Sequence, residues 1–171
     1  MALPQITPAY TYDDYCQWEG KWELWDGVPV AMAPSARFSH GSFQAVLAAL
    51  LLERLADTGC SDGQAVLEID WKVSDTYIVR PDLSVYCGEP PAVHMEHPPA
   101  LIIEILSPGH RNQEHDRVHK ALLYRNTGVR HYLIADPDAR TLEDGYNEHD
   151  TGDHAIRLND GCRFSLPQDL S

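Results

Sequence analysis

The chain has 171 residues, 43% of them hydrophobic, which is enough apolar material for a single globular domain with a buried core. Its 13 Lys and Arg against 26 Asp and Glu give a net charge of −13, which disfavours tight nonspecific binding to phosphates. No run of about 18 apolar residues occurs, the first residues lack the basic and apolar regions typical of a signal peptide, and the four cysteines form no Cys-x-x-Cys pair. These features predict a cytoplasmic protein with reduced thiols, without a disulfide or zinc framework and without a membrane segment.

The first half of the chain predicts a short capped helix at 11–18 and two strands at 22–25 and 28–33. Asp26-Gly27 between these strands is a strong signal for a β-hairpin. Apolar residues then recur at helical spacing and predict a long helix that Gly59 ends. These residues are Phe43, Val46, Leu47, Leu50, Leu51 and Leu55.

The second half predicts a sheet that a second helix crosses. The predicted helix covers 113–126 and ends at Thr127-Gly128. The predicted strands are 65–73, 77–79, 83–87, 101–106 and 130–135, with weaker strands near 141–146, 154–158 and 162–165. The segment between 87 and 101 is rich in Pro and is predicted to be a loop. This order indicates one α/β domain, residues 1–171, with a mixed sheet.

Glu104 lies inside the apolar run 101–106, where a carboxylate is costly unless its charge is compensated. Asp82 opens the preceding strand, so both carboxylates can point at one spot if the two strands are neighbours. Two carboxylates with a backbone carbonyl between them form a hard-oxygen site suited to Mg²⁺, which would neutralise Glu104. Alternatively, Glu104 lies on an edge strand with one wet face or pairs with an arginine. The candidate arginines are Arg80, Arg111 and Arg130.

The predicted helix after the Glu104 strand carries Asp116 and Lys120, four residues apart. Such a helix packs back over the sheet, which could bring the Lys120 ammonium to the two carboxylates. There it could orient an attacking water or stabilise charge on a phosphoryl oxygen. Taken alone, however, the spacing favours a surface ion pair between Asp116 and Lys120.

Several short motifs in a fixed order over residues 10–140 resemble the Uma-type family, whose members are proposed to be bacterial endonucleases. This family is similar to the PD-(D/E)xK, restriction-endonuclease-like superfamily. The motifs are ELWDG (23–27), MAPS (32–35) followed by His40, RPD (80–82), EILSP (104–108), Asp116 with Lys120, YRNTGV (124–129) and YLIADP (132–137).

The resemblance implies a central mixed β-sheet flanked by helices, with an N-terminal β-hairpin, and a nuclease that uses Mg²⁺ or Mn²⁺ to hydrolyse phosphodiester bonds in DNA. Asp82 and Glu104 would be the carboxylates of the motif, with the carbonyl of Ile105 as a further metal ligand. Leu106 stands where the motif has its lysine. Lys120 on the next helix is the candidate replacement, which makes Asp82, Glu104 and Lys120 the predicted catalytic residues.

Three further residues are weaker candidates for the site. Glu23 could supply a third carboxylate or be an outward residue of an amphipathic strand. His40 matches a family position but could also be a polar capping residue, and Asp116 accompanies Lys120 in its motif. The rival function is a nuclease-like fold that serves as a binding or assembly module, which the acidic balance and Leu106 favour. A homodimer is expected because related nucleases often need two active sites to cut a duplex.

Overall fold

The computed structural model describes residues 9–32, 38–107, 115–147, 149–150, 152–158 and 161–171, without the side chains of residues 115 and 116. The N-terminal elements are α1 (Tyr12–Tyr15), β1 (Trp22–Trp25), β2 (Val28–Ala31) and α2 (Phe38–Asp57). The central strands are β3 (Gly63–Leu67), β4 (Trp71–Ser74), β5 (Tyr77–Val79), β6 (Leu83–Cys87) and β7 (Leu101–Ile105). A π-helical turn (His115–Lys120) then continues as α3 (Ala121–Asn126), followed by β8 (His131–Asp136), β9 (Thr141–Asp144), β10 (His154–Arg157) and β11 (Arg163–Leu166).

A five-stranded sheet with the order β3-β6-β7-β8-β9 forms the centre of the molecule. Strands β7 and β8 run parallel, whereas the other neighbours in this sheet are antiparallel. The prediction of a mixed sheet is therefore confirmed. Strand β7, which carries Glu104, is the third of the five strands and so is not an edge strand.

The N-terminal hairpin belongs to a second sheet with the order β2-β1-β5-β4. Asp26 and Gly27 join its two strands with φ angles of 48° and 78°, the left-handed pair that a type I′ turn requires. Strand β5 pairs with β1 through Leu24 and Ile78, and this contact ties the hairpin to the central part of the chain. The predicted hairpin is confirmed.

The central sheet has an apolar layer on each face. Leu101, Ile103 and Ile105 of β7 face the layer that contains the buried side of α2. Ile102 faces the other layer, which is rich in aromatic residues and includes Trp71 and Tyr124. Because side chains alternate along a strand, Glu104 lies on the face of Ile102 and Tyr124.

Two predicted elements differ from the structure. The predicted strand 65–73 is two strands, β3 and β4, which belong to different sheets and are separated by Glu68 with a φ angle of 48°. The predicted helix 113–126 is π-helical over His115–Lys120 before it becomes α-helical. Residues 113 and 114 of this prediction lie outside the described residues, as do residues 33–35 of the MAPS motif and Pro108 of EILSP.

The prediction of four reduced thiols is wrong for two of the cysteines. Cys60 and Cys162 form a disulfide, with Cα atoms 5.6 Å apart and a sequence separation of 102 residues. Cys16 and Cys87 are free thiols. A pair so far apart in sequence has no local spacing signal, which is why the cysteine pattern did not predict it.

In the part of the chain that the structure describes, no helix has the length and apolar character needed to cross a membrane.

Candidate active site

Glu104 is buried, with 3% of its surface exposed, and side chains of the helix that follows β7 compensate its charge. Lys120 Nζ lies 2.9 Å from Glu104 Oε1, and the Tyr124 hydroxyl donates to the same oxygen at 2.6 Å. Lys120 is itself only 5% exposed, so it is not half of a surface ion pair. The side chain of Asp116, its expected partner in such a pair, lies outside the described residues.

Two of the three arginines considered as partners of Glu104 have other partners in the structure. Arg80 Nε lies 2.6 Å from Asp70 Oδ1, and Arg130 Nη1 donates to the carbonyls of Arg157 and Leu158. The third, Arg111, lies outside the described residues.

Glu23 comes from β1, in the other sheet, and approaches the same ammonium. Its Oε1 lies 3.4 Å from Lys120 Nζ and accepts a hydrogen bond from the Arg80 backbone N–H at 2.9 Å. Its Oε2 accepts a hydrogen bond from Trp25 Nε1 at 2.9 Å. Glu23 is buried and is therefore not the outward residue of an amphipathic strand. Lys120 thus lies between two buried carboxylates from different sheets.

Asp82 lies immediately before β6, beside the backbone of the Glu104 strand. The β6–β7 register pairs Leu83 with Ile103, so Asp82 is opposite Glu104 one position further along. Its Oδ2 accepts a hydrogen bond from the Ile105 backbone N–H at 2.8 Å. This bond fixes the Asp82 carboxylate next to the backbone of Ile105.

His40, in the first turn of α2, contacts the second oxygen of the Asp82 carboxylate. Its Nε2 lies 3.3 Å from Asp82 Oδ1, and the hydrogen bond with this carboxylate raises the pKa of His40. His40 is buried, and its Nδ1 has no hydrogen-bond partner among the described residues. One turn later, Gln44 donates to the backbone carbonyl of Asp82 at 3.0 Å. His40 is therefore part of the Asp82 environment and not an exposed cap.

Tyr124 is the residue of this site that the sequence analysis did not select. It lies four residues after Lys120 on the same helical face, and its ring packs against Trp71 and Tyr132 with centroid distances of 6.1 and 5.0 Å. Burial and the charge of Glu104 raise the pKa of Tyr124 well above its usual value, so the hydroxyl stays protonated and donates. The sequence contained a signal for this hydrogen bond to Glu104. Tyr124 is four residues after Lys120, and Glu104 needs donors because it lies in an apolar strand.

The oxygen donors around Asp82 and Glu104 match Mg²⁺ by their chemistry. Among the residues that the structure describes, no group of three or more His, Cys, Asp or Glu side chains is arranged to hold a metal ion. Mg²⁺, however, is commonly bound through only one or two carboxylates and keeps several waters. Asp82, Glu104 and the carbonyl of Ile105 supply oxygen atoms of the type that such a site uses.

The comparison with protein families decides the identity of the chain. The Uma2 family model, described as "Putative restriction endonuclease", matches residues 11–161. The chain belongs to the Uma2 family. The resemblance predicted from the order of the motifs is thus confirmed, and the Uma2 match includes Glu23, His40, Asp82, Glu104 and Lys120.

A solved structure supports the fold of this Uma2 protein. It is described as a putative nuclease belonging to DUF820 from Anabaena variabilis, with a TM-score of 0.65 and 19% sequence identity. The match covers 89% of this chain and 90% of the other, so it supports the fold over nearly the whole length. The prediction of a restriction-endonuclease-like α/β fold is confirmed. The comparison with curated proteins finds no match.

Proposed function

We propose that this Uma2 protein is a metal-dependent endonuclease that hydrolyses phosphodiester bonds, with DNA as its substrate. The observation that carries the proposal is the meeting of Glu23, Glu104 and Lys120 in a buried cluster beside Asp82. Burying charged groups has a large desolvation cost, and a well-packed apolar cluster of similar volume is often at least as stable. A cluster of this kind, formed by residues from three elements, is therefore better explained by function than by stability.

Asp82, Glu104 and the carbonyl of Ile105 would hold Mg²⁺ or Mn²⁺. Such a cation supplies Lewis-acid stabilisation and lowers the pKa of bound water. Lys120 stabilises negative charge that develops on a phosphoryl oxygen, because its ammonium is held in a site of low dielectric constant. Glu23 and Glu104 hold that ammonium in place. Tyr124 holds Glu104 by a hydrogen bond that needs no change of protonation.

The proposal is tested by incubating supercoiled plasmid with Mg²⁺ or Mn²⁺ and comparing Lys120→Met and Glu104→Gln with the wild type. Each substitution should lower the rate of cleavage by about 10²-fold or more, since each removes a preorganised charge. The matched controls are Lys21→Met and Glu143→Gln, which alter more exposed ion pairs elsewhere and should cleave like the wild type. Wild-type cleavage by a folded Lys120→Met variant would refute the role of Lys120.

The rival function, a nuclease-like binding or assembly module, has one observation in its favour. Lys120 and Tyr124 already compensate Glu104, so this carboxylate has protein partners without a cation. Metal titration by calorimetry separates the two functions. A nuclease should bind Mn²⁺ in the wild type and lose that binding in Glu104→Ala, whereas a module without catalysis should give no site-specific heat in either protein.

We further propose that the protein acts as a homodimer. The outer side of α2 exposes Phe38, Val46 and Leu52 by 92%, 47% and 57%, an apolar surface on which a second copy could pack. Light scattering should give twice the mass of the chain, and Leu52→Glu should shift it toward the monomer. A monomeric wild type over the accessible concentration range would contradict this proposal.

A further inference from the structure

Three of the described ring side chains, which we call the ring cluster, lie beside the charged cluster of Glu23, Glu104 and Lys120. Trp25 and Tyr77 come from neighbouring strands, and the pairing of Leu24 with Ile78 brings these two residues opposite each other. Their ring centroids are 5.6 Å apart with planes inclined by 37°, and His119 completes the cluster with its centroid 6.2 Å from Trp25. Trp25 and Tyr77 are half-buried and His119 is exposed, so the ring cluster reaches the surface.

The ring cluster is attached directly to the candidate active site. The Trp25 indole N–H donates to Glu23 Oε2 at 2.9 Å, while Glu23 Oε1 lies 3.4 Å from the Lys120 ammonium. His119 immediately precedes Lys120 in the π-helical turn. The orientation of Trp25 is therefore fixed by the same carboxylate that contacts Lys120.

The charges of the protein leave little attraction for a phosphate backbone. The net charge is −13. Five of the described basic side chains are within 4 Å of carboxylates, and these are Lys21, Lys72, Arg80, Arg117 and Lys120. Binding of nucleic acid through its phosphates requires Lys or Arg side chains that can neutralise the phosphates and displace their counterions. Contacts other than those to phosphates would therefore strengthen the binding of a nucleic acid.

We propose that the ring cluster binds an unstacked base of single-stranded nucleic acid next to the charged cluster. This inference rests on the proposed nuclease function and names its substrate class. In a duplex both faces of a base are covered by neighbouring base pairs, whereas a single-stranded base offers a face to an aromatic ring. A base stacked on the ring cluster keeps its own phosphodiester near Lys120, because Trp25 and Lys120 share contacts with Glu23.

Binding is measured by fluorescence anisotropy with a dye-labelled oligothymidylate and with the duplex that it forms with oligodeoxyadenylate, both in EDTA. The single strand should bind at least about tenfold more tightly than the duplex. Its affinity should fall less than about tenfold between roughly 50 and 200 mM salt, whereas binding through 6–10 phosphates would lose about 10³–10⁵. Tighter binding of the duplex, or a salt dependence of that larger size, would overturn the inference.

Variants then test whether the ring cluster carries this binding. Trp25→Leu should weaken single-strand binding about tenfold, and Trp25→Phe should recover most of it, because a ring remains although the hydrogen bond to Glu23 is lost. The matched control is Trp18→Leu, since Trp18 is also half-buried but packs against Tyr10, Tyr15 and Trp22. His119→Ala, at an exposed position, tests the cluster without a risk to folding and should weaken binding about threefold.

The outcomes separate this inference from the proposed function. If the single strand binds as expected but no Mg²⁺ or Mn²⁺ concentration yields cleavage, the hydrolase proposal fails and the ring cluster remains a binding site. If the wild type cleaves DNA but His119→Ala and Trp25→Leu bind the single strand with wild-type affinity, the inference on the ring cluster fails. Equal losses of binding in Trp18→Leu and Trp25→Leu, or no binding by the wild type, would also overturn it.

Discussion

At the scale of single residues, the hydrogen bond of Tyr124 should contribute measurably to stability. Tyr124→Phe removes only the hydroxyl that donates to Glu104 at 2.6 Å, and it leaves a buried carboxylate with one donor fewer. Hydrogen bonds to charged groups contribute about 1.5–3 kcal/mol, so we expect the free energy of unfolding to fall by about that amount. Urea unfolding followed by circular dichroism measures this change.

The control for this prediction is Tyr86→Phe, which makes the same chemical change in the same aromatic layer. Tyr86→Phe should alter the free energy of unfolding by less than about 0.5 kcal/mol. An equally stable Tyr124→Phe variant would mean that the hydroxyl does not support Glu104, and the positioning role that we give to Tyr124 would then be wrong.

The sequence identified the carboxylates better than it identified their partners. Glu104 was conspicuous because a charged residue interrupted an apolar strand, and Lys120 followed from its motif. The hydrogen bonds that Tyr124 donates to Glu104 and Trp25 donates to Glu23 were not predicted, because each depends on the direction in which two side chains extend. Spacing gives the face of a helix or strand, but not the atom that a side chain reaches.

At the scale of elements, the disulfide should hold the C-terminal hairpin, which is the antiparallel pair of β10 and β11, to the end of α2. Cys60 follows α2 and Cys162 precedes β11, and the bond closes a loop of 102 residues. Restricting the unfolded chain over such a loop contributes up to about 4.7 kcal/mol in the chain-entropy model. Dithiothreitol should therefore lower the free energy of unfolding by about 2–5 kcal/mol, as measured by urea titration.

The double variant Cys16→Ser/Cys87→Ser isolates this effect, because it removes the two free thiols and should respond to dithiothreitol as the wild type does. The double variant Cys60→Ser/Cys162→Ser should instead be insensitive to the reductant. If dithiothreitol leaves the urea midpoint of the first variant unchanged, the disulfide does not stabilise the hairpin.

The elements that were predicted correctly are those whose own residues indicate both their type and their ends. The hairpin at Asp26-Gly27 and strand β7 carry such signals, and so does α2 with its apolar face. The error at 65–73 arose because strand-forming residues continue on both sides of Glu68. Only the partners separate the two halves, since β3 pairs with β6 and β4 pairs with β5.

At the scale of the whole molecule, a cation that binds only the folded protein should raise its thermal stability. With Mn²⁺ at 100 times its Kd, mass action stabilises the folded state by about 2.7 kcal/mol. Each kcal/mol raises the melting temperature of a domain of this size by about 2–4 °C, so we expect a rise of roughly 5–10 °C. Differential scanning fluorimetry with increasing Mn²⁺ measures it, and EDTA should reverse it.

A net charge of −13 attracts divalent cations to the whole surface, so the rise in melting temperature alone does not locate the bound ion. Two carboxylate variants locate it. Asp82→Asn should abolish the rise, since it removes a predicted ligand next to Glu104. Asp75→Asn removes a carboxylate of the same type from the exposed ion pair with Lys72 and should keep the full rise. General attraction would lower the shift slightly and equally in both variants. A full rise in Asp82→Asn would therefore place the bound ion away from Asp82 and would contradict the proposed metal site.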